Sequence, residues 1–331
     1  MILCDDIIIH ICEFLSTSDL LRFSSTCKDF HSVILFDFNT MKNHTFTVLE
    51  KLDNLKFLGE IPFRILNLKL KSNSICDEDF TFIRGIHTLD MSHCSQKTIT
   101  DKAFENLKGI HTLIMEGCCQ NTITDKAFEN LQGIHTLNMT FCNQEKITDN
   151  AFQHLKGICK LNISFCDNEK ITDKAFQNLK GIHTLIMEDC KQKTITDKAF
   201  ENLQGIHTLN MSGCHQKAIT DKAFENLKGI YSLDISFCKQ KTITDKAFEN
   251  LKGIYSLDMQ NCNQESITDK TFENLRGTYT LNMRGCRQKT ITDKVFEILK
   301  DSHTLDMREC YQKTITDKIF LNMEGINTLD M

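Results

Sequence analysis

Two hydrophobic periods alternate along most of the chain. Leu89 and Met91 sit between Thr88, Asp90 and Ser92, an every-second-residue alternation that predicts a short strand with one buried face. The period then lengthens: Ala103, Phe104, Leu107 and Ile110 fall on one side of a helix of about two turns. Thr100 or Asp101 can accept hydrogen bonds from the first-turn amides. Gly109 can supply the left-handed residue that ends the helix. The whole pattern returns at Leu113, Leu137, Leu161, Leu185, Leu209, Leu233, Leu257, Leu281 and Leu305, always 24 residues on, with a further start at Leu329.

Neither half is stable alone in water, because so short a helix cannot repay its nucleation cost. Stacked copies can form a parallel sheet backed by a layer of helices, and a fixed period of this length is the mark of a solenoid. Phe recurs at the same place in each copy, from Phe80 and Phe104 to Phe320, and predicts a ladder of rings through the core. Parallel strands lie about 4.8 Å apart and packed helices about 8–10 Å apart. The mismatch bends the stack. The expectation is an α/β fold, a right-handed solenoid with its sheet on the concave face and its short helices on the convex face.

A Cys column runs through Cys94, Cys118, Cys142, Cys166, Cys190, Cys214, Cys238, Cys262, Cys286 and Cys310, three residues past the second strand position. The unit resembles a leucine-rich repeat, in which Asn or Cys at this place satisfies backbone groups where the chain leaves the strand. Cys followed by Ile-Thr-Asp and an apolar pair is similar to the cysteine-containing subclass, although these units are shorter.

Residues 1–40 carry no repeat. Leu3, Ile7, Ile8, Ile11, Phe14 and Leu15 follow a helical apolar pattern, and Ser16–Asp19 reads as a capping box opening a second helix through Leu20, Leu21 and Phe23. A third short helix is expected through Phe30, Val33, Ile34 and Leu35. So short a segment cannot sustain its own core. Its apolar faces either cap the solenoid or dock on another protein. The run Leu3-Cys4-Asp5-Asp6-Ile7-Ile8, then Ile11, Leu15, Asp19-Leu20 and Cys27-Lys28-Asp29-Phe30, resembles the F-box, with Cys4 and Phe30 where that family usually has Pro and Trp. The resemblance implies docking on the Skp-type linker subunit of a cullin–RING ubiquitin ligase, through Leu3, Ile7, Ile8, Ile11, Leu15, Leu20 and Phe30.

Residues 41–84 are read as a linker helix, over Thr45–Leu58, and a degenerate first repeat that caps the solenoid of residues 85–331. Arg64–Leu70 alternates like a strand, and Ile75, Asp77, Phe80, Ile83 and Ile86 match the helical half. Toward the other end Thr278 and Ser302 replace the apolar Ile, Asp301 the Gly, and Val295 and Ile319 the Ala. The last strand has no polar cap, so fraying, a partner or a lost tail is expected there.

The charge is nearly balanced at −5, which favours neither nucleic acid nor an anionic membrane as partner. Of 16 Cys, none lies in a Cys-x-x-Cys pair, so buried reduced thiols are expected. The N-terminus opens with paired Asp and no basic region, unlike a signal peptide, and no apolar run has membrane-span length. The expected location is cytoplasmic or nuclear, and sequons such as Asn43-His-Thr are expected to stay unused. There is no phosphate loop, nucleophile with base, or metal spacing, and the column Cys are poorly placed for thioester chemistry. No enzyme and no cofactor are expected.

Where units are near-copies, recognition resides in the columns that differ. Gln96 and its equivalents suit a side-chain amide ladder. His87, His111, His135, His183 and His207 form a column that Cys159 and Tyr231 interrupt, so no metal row is expected. The concave face varies: Ile114 and Ile186 stand among Asp and Asn, and Phe141, Phe165 and Phe237 among Gly, His and Asn. Acidic residues such as Asp90, Glu116, Glu188 and Asp258 outnumber basic ones such as Arg284 and Arg308. Aromatic anchors in an acidic trough suit a protein with a basic, apolar epitope, and neutral drift among duplicated units is the alternative. The reading is a substrate-recognition adaptor of an SCF-type ubiquitin ligase; its rival is a repeat scaffold or receptor with no ligase role. The near-identity of the units also resembles the expanded arrays of giant DNA viruses, which implies a host-directed role in an infected cell.

Overall fold

The computed structural model describes residues 45–48, 67–71, 74–322 and 326–330, so the segment expected to be an F-box lies outside them. They form two compact units divided between Ile147 and Thr148. In the first, β1 (Thr45–Val48), β2 (Asn67–Leu70), β3 (Thr88–Asp90), β4 (Thr112–Ile114) and β5 (Thr136–Asn138) pair in parallel, each with the next. The second holds β6 (Lys160–Asn162), β7 (Thr184–Ile186), β8 (Thr208–Asn210), β9 (Ser232–Asp234), β10 (Ser256–Asp258), β11 (Thr280–Asn282), β12 (Thr304–Asp306) and β13 (Thr328–Asp330), paired the same way. Leu233 faces Leu257 and Leu257 faces Leu281, so each residue pairs with its own copy one period on.

One expected element is corrected. Thr45–Val48 is a strand, not the start of a linker helix. Thr-Phe-Thr-Val is β-branched at three of four positions, and it covers the edge that β2 would otherwise leave open.

The helical half is also shorter than its periodicity suggests. Asp101–Phe104 is one α-turn and Glu105–Leu107 tightens into a 3₁₀ turn. In Asp221–Phe224 and Asp245–Asn250 the turn is 3₁₀ from the start. A type II turn then sends the chain back to the sheet: Lys108 has φ −57° and ψ 124°, Gly109 has φ +84°, and the Ile110 amide donates to the Leu107 carbonyl at 3.0 Å. The third position of that turn requires positive φ, and this is what the Gly supplies.

Thr and Asp divide the capping work. Thr100 Oγ1 accepts from the Lys102 amide and caps its own helix. Asp101 reaches the next unit, where its two carboxylate oxygens accept from the Thr124 amide and hydroxyl, both at 2.7 Å. The rung recurs from Asp173 to Thr196, Asp221 to Thr244 and Asp269 to Thr292. Beneath it lies the apolar core. Leu89, Met91, Ile99, Ala103 and Phe104 are fully buried, as are the Phe of every unit from Phe80 to Phe296. The expected ring ladder is therefore present.

The column Cys are free thiols at the strand exits, buried from Cys94 to Cys286 and half-buried at Cys310. From Cys118 onward they donate to backbone carbonyls of the preceding unit, as Cys118 does to Met91 at 3.1 Å, Cys238 to Met211 at 3.2 Å and Cys286 to Met259 at 3.1 Å. Burial pushes the Cys94 thiol up to about 11 and the Cys238 thiol up to about 12.

The Gln column does not form an amide-to-amide ladder. The Nε2 of Gln216, Gln240, Gln264 and Gln288 donates instead to the carbonyl of Cys190, Cys214, Cys238 and Cys262. These carbonyls lie past the strand, where the sheet ladder offers no donor, and the side chain takes that role. At the far end Thr278 and Ser302 are fully buried in the Ile column, and Val295 and Ile319 fill the Ala column.

Candidate functional site

The sheet face offers three side chains per unit, from the columns of Asp90, Ser92 and His93. The first column serves the fold more than the sequence suggests. Asp234 Oδ1 accepts from the Ser236 amide at 2.8 Å, Asp258 from Gln260 at 2.9 Å and Asp306 from Arg308 at 3.1 Å, each an Asx turn that ends its strand. Asp90 does the same with Ser92 and also holds Lys69. Burial opposes its ionisation, but Lys69 and Ser92 prevail and keep the carboxyl below the usual range. Ile114, between Asp90 and Asn138, and Ile186, between Asn162 and Asn210, cannot make this turn and are half-buried.

In the second unit the remaining acids crowd one another. Burial, then Asp234 and Asp189, push the Glu188 carboxyl up. Burial also raises Asp258, with Asp234 and Asp306 adding repulsion. Glu116, in the first unit, is half-buried in the equivalent column. The two arginines expected to touch a target are engaged within the chain: Arg284 pairs with Glu309, and Arg308 with Asp306.

The third column holds what sequence reasoning missed. His93, Phe141, Phe165, Asp189, Phe237, Asn261 and Glu309 all have φ between +51° and +62°, and Gly117, Gly213 and Gly285 match them. Each unit from His93 to Glu309 turns off its strand through a left-handed residue. Gly, Asn and Asp tolerate that conformation, whereas in a bulky residue it is an outlier. Phe141 and Phe237 nevertheless occupy it with 44% and 42% of their surface exposed. The signal was in the sequence, since Gly117, Gly213 and Gly285 share the column with Asn261. Room matters too: a Cβ at Gly213 would lie 2.8 Å from Asp189 Oδ1, because side chains here lean over the next unit.

At the strand entries the His column stacks. In the first unit His87, His111 and His135 are 4.5 Å apart ring to ring. In the second, His183, His207, Tyr231, Tyr255, Tyr279 and His303 continue at 4.3–4.6 Å, within 17° of parallel. Tyr231 therefore extends the stack rather than interrupting it. The rings face one another, and Nδ1 of His111, His135, His183 and His207 each lies 3.1 Å from the hydroxyl of the following Thr; among the described residues no group of three metal-ligating side chains occurs.

An F-box domain model matches residues 1–37. A model described as the BspA type leucine rich repeat region matches in six copies over 22–159, 145–278 and 217–331. This is an F-box protein of the BspA-type leucine-rich-repeat family. The matching repeat model is the BspA type, while the Cys column pointed toward the cysteine-containing subclass. The two matches overlap over residues 22–37.

None of the curated proteins compared matches the chain significantly. Among solved structures, Drosophila Toll in its complex with Spatzle is similar, at 15% identity and TM-score 0.66 over 86% of this chain and 42% of Toll. The TLR13–ssRNA13 complex matches at 19% identity and TM-score 0.67 over 89% of this chain and 44% of TLR13. The internalin inlF of Listeria monocytogenes matches at 17% and 0.61 over 89% of this chain and 88% of its own. At these identities the likeness establishes the solenoid fold. The F-box/leucine-rich-repeat protein spans under half the length of the Toll and TLR13 chains. No helix among its described residues is long and apolar enough to cross a membrane. The expected docking residues Leu3, Ile7, Ile8, Ile11, Leu15, Leu20 and Phe30 fall inside the F-box match and outside the described residues.

Proposed function

We propose that this protein is the substrate-recognition adaptor of a Skp/cullin/F-box ubiquitin ligase. The observation that carries the reading is an F-box match at residues 1–37 joined to an array of leucine-rich repeats. In this reading Leu3, Ile7, Ile8, Ile11, Leu15, Leu20 and Phe30 engage the Skp-type linker. The sheet face holds a target protein through Phe141 and Ile114 in the first unit, and through Phe165, Ile186, Glu188 and Phe237 in the second. The adaptor itself is not an enzyme. It works by proximity, raising the effective concentration of target lysines beside a ubiquitin-charged enzyme brought by other subunits. Such a role is intracellular.

The strongest support for the sheet face is energetic. Three Phe accept a left-handed backbone that Gly would adopt without strain, and two of them expose their rings, so fold stability does not explain the choice. Co-purification of the full chain with a Skp-type linker tests the first half. Ile7→Asp/Ile8→Asp should abolish it, and a wild-type chain that fails to bind the linker would refute the ligase role. For the second half, Phe141→Ala/Phe165→Ala/Phe237→Ala should keep linker binding yet lose proteins that proximity labelling assigns to the wild type. An unchanged labelling profile would remove the Phe from the target site.

A further inference from the structure

From Cys118 to Cys310 the loop after the column Cys alternates exposed, buried, exposed around a central Gln, or Asn168 after Cys166. Gln192, Gln216 and Gln240 are buried, and the residues flanking them stand out into solvent. In three successive units of the second compact unit those flanks are Lys191 and Lys193, His215 and Lys217, and Lys239 and Lys241. They make two parallel rows with adjoining grooves between the units. One groove, of about 450 Å³, is lined by Lys191, Lys193, His215 and Lys217, and the next, of about 590 Å³, by His215, Lys217, Lys239 and Lys241.

None of the five lysines makes an ion pair with a described residue, although Arg284, Arg287 and Arg308 of the same unit all do. Successive rows are one unit apart, about 4.8 Å at the sheet. That spacing is on the scale of the screening length of about 8 Å at physiological salt, so the surface concentrates like charge. The concentration runs against a chain whose net charge is −5. It is also bounded. The same two positions carry Asp167 and Glu169 in the unit before, and Asn263 and Glu265 in the unit after. Near-identical units thus change sign here while their cores stay constant.

We propose that this lysine-walled groove, from Lys191 to Lys241, binds an acidic segment of another polypeptide, with carboxylate or phosphorylated side chains set against the lysine pairs. Length selects peptide over polynucleotide. Polyanion binding draws on many phosphate contacts along an extended basic track, but this track ends after three units at Glu169 and Glu265. Its walls hold no Phe, Tyr or Trp on which bases could stack. The aliphatic lysine stems suit peptide backbone and side-chain methylenes instead.

The surface is separate from the sheet face, and its test needs neither linker nor target. Fluorescence anisotropy of the purified full chain would use a labelled Glu-rich peptide, a phosphoserine version, a Gln version, and a single-stranded oligonucleotide of equal charge. At least one acidic peptide should bind, weakening as salt is raised, while the Gln peptide does not. The tighter of the two acidic peptides identifies carboxylate or phosphate as the source. Lys193→Glu/Lys217→Glu/Lys241→Glu should lower the affinity at least tenfold and the Gln triple variant by less, with unchanged circular dichroism in both. Absence of acidic-peptide binding at low salt, wild-type affinity in the Glu variant, or tighter binding of the oligonucleotide than of either peptide would overturn the proposal.

Discussion

A phenylalanine held at φ +59° is in a conformation that its own backbone disfavours. At Phe237 the neighbouring units enforce it: the amide donates to the Gln260 carbonyl at 2.7 Å, which fixes the turn whatever side chain sits there. Phe237→Gly should therefore raise stability by about 1 kcal/mol through relief of strain, whereas Phe237→Ala keeps the strain and should not. Chemical denaturation of the two variants measures the difference, and a Gly variant no more stable than the Ala variant would remove the strain argument. Sequence reasoning found these Phe as odd members of a variable column. Their backbone conformation was missed although Gly117, Gly213, Gly285 and Asn261 signal it, because these fill only part of a column that also holds bulky side chains.

The unit itself holds together by rungs between neighbours rather than by intrinsic helicity. A turn as short as Asp221–Phe224 has almost no stability of its own. Thr244 caps the next turn while its amide and hydroxyl donate to Asp221 at 2.7 and 2.8 Å. Asp221→Ala should cost about 2 kcal/mol, the scale of losing charge-assisted hydrogen bonds. Asp221→Asn, which retains one acceptor, should cost less. Urea titration distinguishes them, and equal midpoints for Asp221→Ala and wild type would make the rung ornamental. The strands, the Phe ladder and the buried Cys were legible in the sequence because burial enforces strict periodicity. β1 was not: the residues 45–58 read equally well at period 3.6, and its selection depends on the edge of β2. The Gln role was not legible either, since a column of amides looks the same whether it bonds to itself or to backbone.

Across the whole molecule, the thiol column makes stability depend on alkaline pH. Burial raises the folded-state values of Cys94, Cys118, Cys190, Cys214, Cys238, Cys262, Cys286 and Cys310 above the ordinary thiol value of 9.0. Above pH 9 the unfolded chain releases protons that the folded chain retains, so folding loses about 1.4 kcal/mol per pH unit for each such thiol. Thermal unfolding should show a steep fall in Tm above pH 9, softened by Cys→Ala at one or two column positions. A flat alkaline limb would mean that the thiols are not buried in solution. On the acid side one member of the His stack, His111, contributes alongside paired carboxylates such as Asp90 and Asp306. Burial, with His87 and His135 adding repulsion, lowers His111 below 6.5, so its contribution is complete above that pH and declines as acid protonates the unfolded chain.

The pairing of every strand residue with its own copy one period on has a further consequence. Nothing in a rung identifies which copy it has met, so the alignment is fixed only up to whole multiples of the period. A chain that loops out one complete copy can still form the Asp-to-Thr rung and the Thr cap on either side of the gap. Such an array can lengthen or shorten by recombination in whole modules without redesign of any interface, and its characteristic folding error is an omitted module rather than a scrambled core.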